Sequence, residues 1–278
     1  MNRTMITATN TMSQLQLKID LIGNNIANAN TTGYKSKEGI FSELLVQQFN
    51  NQPKQDQEIG RFTSLGIHGG NGARLGLIKV NLKQGSLKTT GRELDVALQR
   101  EDLFLKIDVN GETQFTRDGS FYLSPSAQGD NQLNLVTSNG HYVLDENEQP
   151  IVITGNVNTI NITEDGNISF VTDTGGFQSY NLGMISVQNA QYLEQKGGNI
   201  VGLSPLYVEQ GLAEETIFTN LVGNLRGDIS LQQGTLEASN VDISKEMTDL
   251  INVQRQYQFQ ARSVTMADQM LGLINSVR

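Results

Sequence analysis

Two histidines, a scatter of carboxylates and one glycine-rich stretch are the residues of this chain with any claim to catalytic or ligand chemistry. A zinc site on a helix needs two histidines one turn apart, and His68 and His141 have no partner at that spacing. Cysteine is absent, which removes thiolate nucleophiles, thiolate metal sites and disulfides together. Asp95, Asp108, Asp118, Glu164 and Asp165 could in principle supply a glycosidase acid and base, but only their separation in space would identify such a pair. Asp118 and Asp165 each precede a glycine, the signature of a turn. The stretch GIHGGNGARLG at 66–76 lacks the Lys-Ser/Thr of a phosphate loop and reads as a turning connector. Asn30-Thr31-Thr32, Asn161-Ile162-Thr163 and Asn167-Ile168-Ser169 match glycosylation triplets, and in an Asn-rich chain they carry no weight. No metal, no cofactor and no enzymatic activity are expected.

The charge balance narrows the partners. With 20 Lys+Arg against 29 Asp+Glu and a pI near 4.8, the surface is unsuited to polyanions, so nucleic acid is not an expected partner. The opening MNRTMITATNTMSQLQLKIDLIG has no basic start followed by an apolar core and a small-residue cleavage site. No apolar run is long enough to span a bilayer. Taken alone, these features point to the cytoplasm.

Something must position whatever the chain does, and periodicity supplies two kinds of element. Met5, Ala8, Met12, Leu15, Ile19, Ile22, Ile26 and Ala29 recur at alternating steps of three and four, a heptad seam. Ile243, Met247, Leu250, Tyr257, Ala261, Val264 and Leu271 repeat the pattern at the other end, with Gln254 and Asp268 in the two missing places. Ser239, with Asp242 three residues on, is the expected cap of this second helix. Between them LGLIKVNL, LDVALQ, LFLKIDV, QFTRDGSFYL, QLNLVT, YVLD, PIVIT, NTINIT and NISFVT predict short strands. Asn110-Gly111, Asp118-Gly119, Asn139-Gly140 and Asp165-Gly166 punctuate them as hairpin turns. The stretch YLEQKGGNIVGLSPLYVEQG is less regular. A narrow seam on each terminal helix calls for a helical partner, which the other helix of the same chain and further copies could both provide. The competing arrangement is a monomer whose helices cap its own sheet.

The helix-end stretch LIGNNIANANTTGYK resembles the signature of the axial proteins of the bacterial flagellum, the rod and hook subunits. LEASNVDISKEMTDLINVQRQYQFQARSVTMADQMLGLINSVR resembles the closing helix of the same family, and QGSLKTTGRELDVAL, FTRDGSFYL and LVTSNGHYVLDENEQPI resemble the β segments of its distal-rod branch. Two departures stand out: QREDLFLKI replaces the family's usual Gly-Asp-Gly-Phe-Phe type turn, and the connector before residue 75 does not align. The resemblance implies a helically assembling homo-oligomer, with neighbouring rod and hook subunits as partners. It also implies location in the flagellar basal body after export by the flagellar type III machinery without a cleaved signal, which revises the cytoplasmic expectation.

The fold class expected is α+β: a discontinuous coiled-coil domain from the two terminal helices, with an inserted, mainly antiparallel β-rich domain. The divisions expected are 1–45 for the first helix and joint, 46–76 for a connector, 77–231 for a β domain that folds alone, and 232–278 for the last helix. Subunit-interface positions are Met12, Leu15, Ile19, Ile22, Ile26, Asn24, Asn25, Asn28, Met247, Leu250, Tyr257, Ala261, Val264 and Leu271. Asn30, Thr31, Thr32, Gly33 and Tyr34 form a helix-end joint, whose amides and hydroxyls can satisfy orphan carbonyls without burying charge, with Gly33 ending the helix at positive φ. The functional expectation is a non-enzymatic subunit of the flagellar rod, the distal rod first. The alternative is a secreted β-rich protein that binds or cleaves wall glycan and oligomerises through a helical stalk.

Overall fold

The computed structural model describes residues 2–43, 47–49, 67–69, 73–126, 131–173 and 175–276. Two long helices, Asn2–Ala27 and Ile243–Ser276, enclose every described strand in sequence, and the class is α+β. The chain divides into two compact units. The helical unit is Met1–Asn24, Gly39–Ile78 and Ser244–Arg278; the β unit is Asn25–Glu38 and Lys79–Ile243.

In the helical unit the first helix buries Ala8, Leu15 and Ile22, one heptad apart, with Met12 and Ile19 half-buried. The seam expected there is the seam observed. On the last helix the phase differs. Val253 and Ala267 are its buried residues, and Leu250, Tyr257, Gln260, Val264 and Leu271 are half-buried beside them. The covered stripe is thus 250, 253, 257, 260, 264, 267 and 271, one residue earlier than expected at every second position. Counting from Ile243 and Met247, both about half exposed, placed polar Gln254 and Asp268 on the seam, and these two side chains are exposed. Thr11 and Leu15 of the first helix and Arg255, Gln256, Phe259 and Gln260 of the last line one groove of about 400 Å³, so the helices pair within the chain. Leu75 N–H donates to Gln14 Oε1 at 2.9 Å, and Lys18 Nζ lies 5.0 Å from the Phe41 ring centroid.

The β unit holds the strands. Its largest sheet runs in the order Val152–Thr154, Gln132–Thr137, Tyr142–Val143, Leu103–Val109, Glu112–Thr116, Ile200–Leu203, Leu193–Gly197, with Met184–Val187, Phe218–Asn220 and Phe121–Pro125 attached. A second sheet of Val157–Ile162, Asn167–Thr172 and Phe177–Asn181 is antiparallel throughout. Val96, Leu103, Leu105, Phe121, Leu135, Ile153, Ile168, Phe170 and Leu182 belong to one dry core. Phe104 and Ile185 point to the opposite side, into a smaller cluster with Phe115, Val201 and Phe218, as the period of two requires. One outer edge is closed by side chains: the Gln178 amide donates to Thr154 O and accepts from Thr154 N–H, while Tyr180 Oη donates to Val152 O. Such plugs oppose strand-to-strand association.

Asn110 and Gly111, at φ 57° and 87°, form the hairpin turn expected between Leu103–Val109 and Glu112–Thr116. Gly140 and Gly166 also take positive φ. Asp118-Gly119 does not make a tight hairpin. Asp118 is buried, and a Cβ on Gly119 would stand 1.8 Å from Val96 O, so this glycine serves close backbone approach. YLEQKGGNIVGLSPLYVEQG contains a regular hairpin, Leu193–Gly197 with Ile200–Leu203. An irregularity in its register between Gln195 and Gly197 hides the alternation.

The expected divisions also shift. Leu231–Gln233 pairs with Val96–Leu98 and Thr235–Glu237 with Leu87–Thr89, so the last helix starts at Ile243, not at 232. Ser239 Oγ accepts from Val241 N–H, a turn that precedes the helix. Strand Ala73–Val80 crosses the expected boundary at 77 and pairs with Lys37–Glu43. Within the connector, Gln47–Phe49 pairs with Ile67–Gly69, the strand that carries His68; its remainder before Ala73, with four residues of the glycine-rich stretch, lies outside the described residues.

Candidate functional site: the joint and the helical stripes

The joint belongs to the β unit. The first helix ends at Ala27, and the chain then turns through Thr31 N–H to Asn28 O and Tyr34 N–H to Thr31 O. Asn25, fully buried, fixes the return of the chain: its Oδ1 accepts from Tyr34 Oη at 3.1 Å and from Lys37 N–H at 3.0 Å, and its Nδ2 donates to Lys37 O. Expected at a subunit interface, Asn25 is used entirely inside the chain. Gly33 takes φ 68°, but six residues beyond the helix. A Cβ there would lie 2.5 Å from Arg117 C and Asp118 N, while its N–H donates to Glu237 O at 2.9 Å. Its task is to let two backbones meet.

Buried charge begins at the residue that follows these five. Lys35, Arg117 and Glu237 are all almost inaccessible. Lys35 Nζ donates to Leu82 O at 3.1 Å, Lys83 O at 2.7 Å and Glu237 Oε1 at 2.8 Å. The same Oε1 accepts from Gly85 N–H, and Oε2 accepts from Arg117 Nε at 2.8 Å. Arg117 Nη1 donates to the carbonyls of Arg100, Glu101 and Leu103, and its guanidinium carbon lies 5.6 Å from the Phe104 ring centroid. Burial first, then the neighbouring Arg117 cation, pushes the Lys35 ammonium down from 10.5 to about 8, against the upward pull of Glu237. Asn240 adds a neutral tie: it accepts from Ser36 N–H and donates to Asn81 O and Lys83 O. One glutamate just before the last helix therefore holds a lysine just after the first helix to an arginine from the middle of the chain.

Asn30, Thr31, Thr32, Ser138 and Asn199 line part of an open cleft of about 540 Å³. Asp118, at its base, accepts from Ser120 N–H and Oγ, Ser138 Oγ and Asn199 Nδ2. With four donors its carboxylate works as a structural acceptor. Asp108 accepts from Gly111 N–H across the hairpin turn, and Thr90 Oγ1 donates to Asp95. Among the described residues no group of three or more His, Asp or Glu is placed to hold a metal ion.

The interface residues expected on the helices divide by exposure. Leu15 and Ile22 are buried within the chain. Met12, Ile19, Ile26, Asn28, Leu250, Tyr257, Ala261, Val264 and Leu271 are half-buried, and Asn24 and Met247 are exposed. Sequence reasoning missed a second apolar stripe on the last helix: Phe259, Met266, Met270 and Leu273 are 48–71 % exposed and follow one another at steps of seven, four and three. That spacing was legible in the sequence, but fixing attention on one seam hid it. The joint residues Lys35, Arg117, Glu237 and Asn240 were missed for another reason, since no local pattern announces a charge whose partner is some 200 positions away.

Comparison with known proteins agrees with this geometry. The family model described as Flagella basal body rod protein matches residues 5–35, which contain most of the first helix and the joint. The Flagellar hook protein FlgE/F/G D1 domain model matches 102–170, and the Flagellar basal body rod FlgEFG protein C-terminal model matches 232–277. The chain is 44 % identical over 280 residues to the flagellar hook-basal body complex protein FlhP of Bacillus subtilis, covering all of both chains. It is 33 % identical over 272 residues to the flagellar basal-body rod protein FlgG of the same organism, covering 98 % of this chain and 97 % of that one. The FlgG protein of Borreliella burgdorferi is 30 % identical over 278 residues, covering 100 % and 99 %. On helix, joint and β segments together, the chain belongs to the flagellar basal-body rod and hook protein family, near its FlgG branch.

Proposed function

We propose that this protein is a structural, non-enzymatic subunit of the flagellar basal-body rod, in its distal part, exported through the flagellar type III machinery without a cleaved signal and assembled with further copies and neighbouring rod and hook subunits into a hollow shaft. The observation that carries the reading is the last helix. One of its stripes is covered by the chain itself, and another, Phe259, Met266, Met270 and Leu273, is left in water. A heptad-spaced apolar stripe is stabilised by a helical neighbour. A contact that joins unlike patches without closing into a ring makes a filament, which is what a shaft requires. No helix among the described residues is long and apolar enough to cross a membrane. The β unit carries 11 Lys+Arg against 22 Asp+Glu, a surface that disfavours polyanions. The wall-glycan alternative has no observation in its favour among the described residues.

The test is assembly of the purified full chain, followed by sedimentation and electron microscopy across a concentration series. Concentration-dependent filaments with a central channel are expected. A single discrete species at every concentration, with or without binding to isolated wall glycan, would overturn the reading.

A further inference from the structure

The cluster of Lys35, Glu237 and Arg117 has more cation than carboxylate, and this imbalance has a use beyond holding the joint together. Three charged groups, each no more than 2 % exposed, meet with one negative charge between two positive ones. Arg117 cannot give up its proton in a protein, and both Glu237 oxygens are engaged by donors: Lys35 Nζ, Gly85 N–H and Arg117 Nε. Lys35 is therefore the member that can change state. Its surroundings are the carbonyls of Leu82 and Lys83, the Glu237 carboxylate, the Arg117 guanidinium and, farther off, Glu101. One further sign of excess cation is Arg117 Nη2, which is buried without a hydrogen-bond partner among the described residues.

We propose that Lys35, Glu237 and Arg117 form a proton-operated latch in the β unit, which grips the segment after the first helix and the segment before the last helix more tightly when Lys35 is neutral than when it is charged. With Lys35 protonated the site holds a net positive charge away from water, which is unfavourable. Releasing that proton leaves Glu237 and Arg117 as a balanced pair. The neutral amine still has two N–H donors for its three acceptors, and without its positive charge it no longer repels the arginine.

The direction follows from linkage. Unfolded Lys35 keeps its ordinary value of 10.5, while in the folded chain it lies near 8. Below pH 8 both states are protonated and the folded state carries the full penalty. Between pH 8 and 10.5 the unfolded chain binds more protons than the folded one, so this group's contribution to stability rises with pH across that window and is complete above it. The folding constant should gain roughly 300-fold from Lys35 over that range. A mildly alkaline medium sets the latch and a neutral one relaxes it.

Two measurements on the full chain test this. The first follows the side-chain Cε resonance of Lys35, assigned in the wild-type protein by sequential backbone-to-side-chain correlation, through a pH titration of the folded protein; a midpoint near 8 is expected, and a midpoint above 10 overturns the proposal. The second compares denaturant unfolding between pH 7.5 and 10 for the wild type, for Lys35→Met and for Lys88→Met, a lysine on an exposed strand position. The wild type and Lys88→Met should gain stability with the same slope, and Lys35→Met should lose most of that gain. Equal slopes in all three overturn the proposal. If Lys35→Met does not fold, the titration of the wild-type protein still decides it.

Discussion

The two units of this chain solve the same problem, hiding apolar surface, to different degrees. Among the described residues the helical unit buries six apolar side chains fully, Ala8, Leu15, Ile22, Leu75, Val253 and Ala267, while Ile6, Leu17, Ile251, Phe259, Met266, Met270, Leu273 and Ile274 stay about half exposed or more. In the β unit two cores of Val, Leu, Ile and Phe are dry, with residues such as Leu98, Leu105, Phe121 and Ile153 fully inaccessible. Each large apolar side chain so buried is worth about 1.5–3 kcal/mol. The β unit has therefore completed its fold within one chain, and the helical unit has completed about half of its own. The difference teaches where assembly must act: on the unit whose stability is still to be gained from neighbours.

The strongest way to break the comparison is to cut the β unit at the wrong place. A fragment of 77–231 would keep every hairpin of the main sheet but lose Glu237, Lys35 and the strand Thr235–Glu237. That would leave Arg117 as a buried cation without its carboxylate. Removing one member of a buried charge cluster costs about 3–5 kcal/mol, a large share of a domain's stability. The expectation from sequence that this fragment folds alone is thus revised: 77–231 should lack a cooperative unfolding transition, whereas 25–243 should show one. Glu237→Ala in the full chain should cost the same few kcal/mol. If 77–231 unfolds as sharply as 25–243, the β unit does not depend on its clamp.

Close backbone contacts come next. Gly119→Ala would set a methyl 1.8 Å from Val96 O, with the Val96 backbone as its nearest neighbour and no flexible side chain to yield. Overpacking of this kind costs about 1–3 kcal/mol or more. Gly111→Ala in the hairpin turn meets nothing within 4 Å and should cost only the strain of its positive φ, about 1 kcal/mol. Thermal melts of the two variants should rank them in that order.

How much of this was legible in the sequence depends on how far each residue's partner lies along the chain. The first helix, its seam, and the hairpins at Asn110-Gly111 and Asp165-Gly166 follow from patterns a few residues long. The phase of the last helix was misread because its exposed opening, Ile243 and Met247, is as apolar as its covered stripe. Asn25 was placed at an interface because an amide near a helix end suits either role, and only the return of the chain through Tyr34 and Lys37 decides between them. The clamp at Glu237 was invisible, since Arg-Asp-Gly at 117–119 reads as turn chemistry until Gly33 is seen packed on it.

Two stripes on one helix allow a smaller and sharper test. Val253→Asp places a carboxylate on the covered stripe, at a residue 2 % exposed, and an unpaired buried charge there should cost several kcal/mol of the helical unit. Hydrogen exchange of 244–276 should then approach that of an unfolded segment, with the β unit unchanged. Persistent protection of that helix would mean that its pairing with the first helix contributes little.

Phe259→Asp should have the smallest effect on the single chain and the most informative one beyond it. Phe259 is 71 % exposed, and surface substitutions away from caps and cores usually stay within about 0.5 kcal/mol, so the unfolding midpoint of the dilute monomer should not move measurably. The same carboxylate would face any helix that packs on the stripe, where its desolvation is not compensated and the cost recurs at every subunit contact along a filament. Growth of filaments should stop, while Thr265→Asp, a polar and exposed position on the same helix, should assemble as the wild type does. If both variants assemble, the exposed stripe is not the contact, and half-buried residues such as Ile19 and Leu250 become the surface to change. If Phe259→Asp also lowers the monomer's midpoint, the groove it shares with Thr11 and Leu15 contributes to folding as well as to assembly, and the separation between a covered and a free stripe is weaker than their exposures suggest.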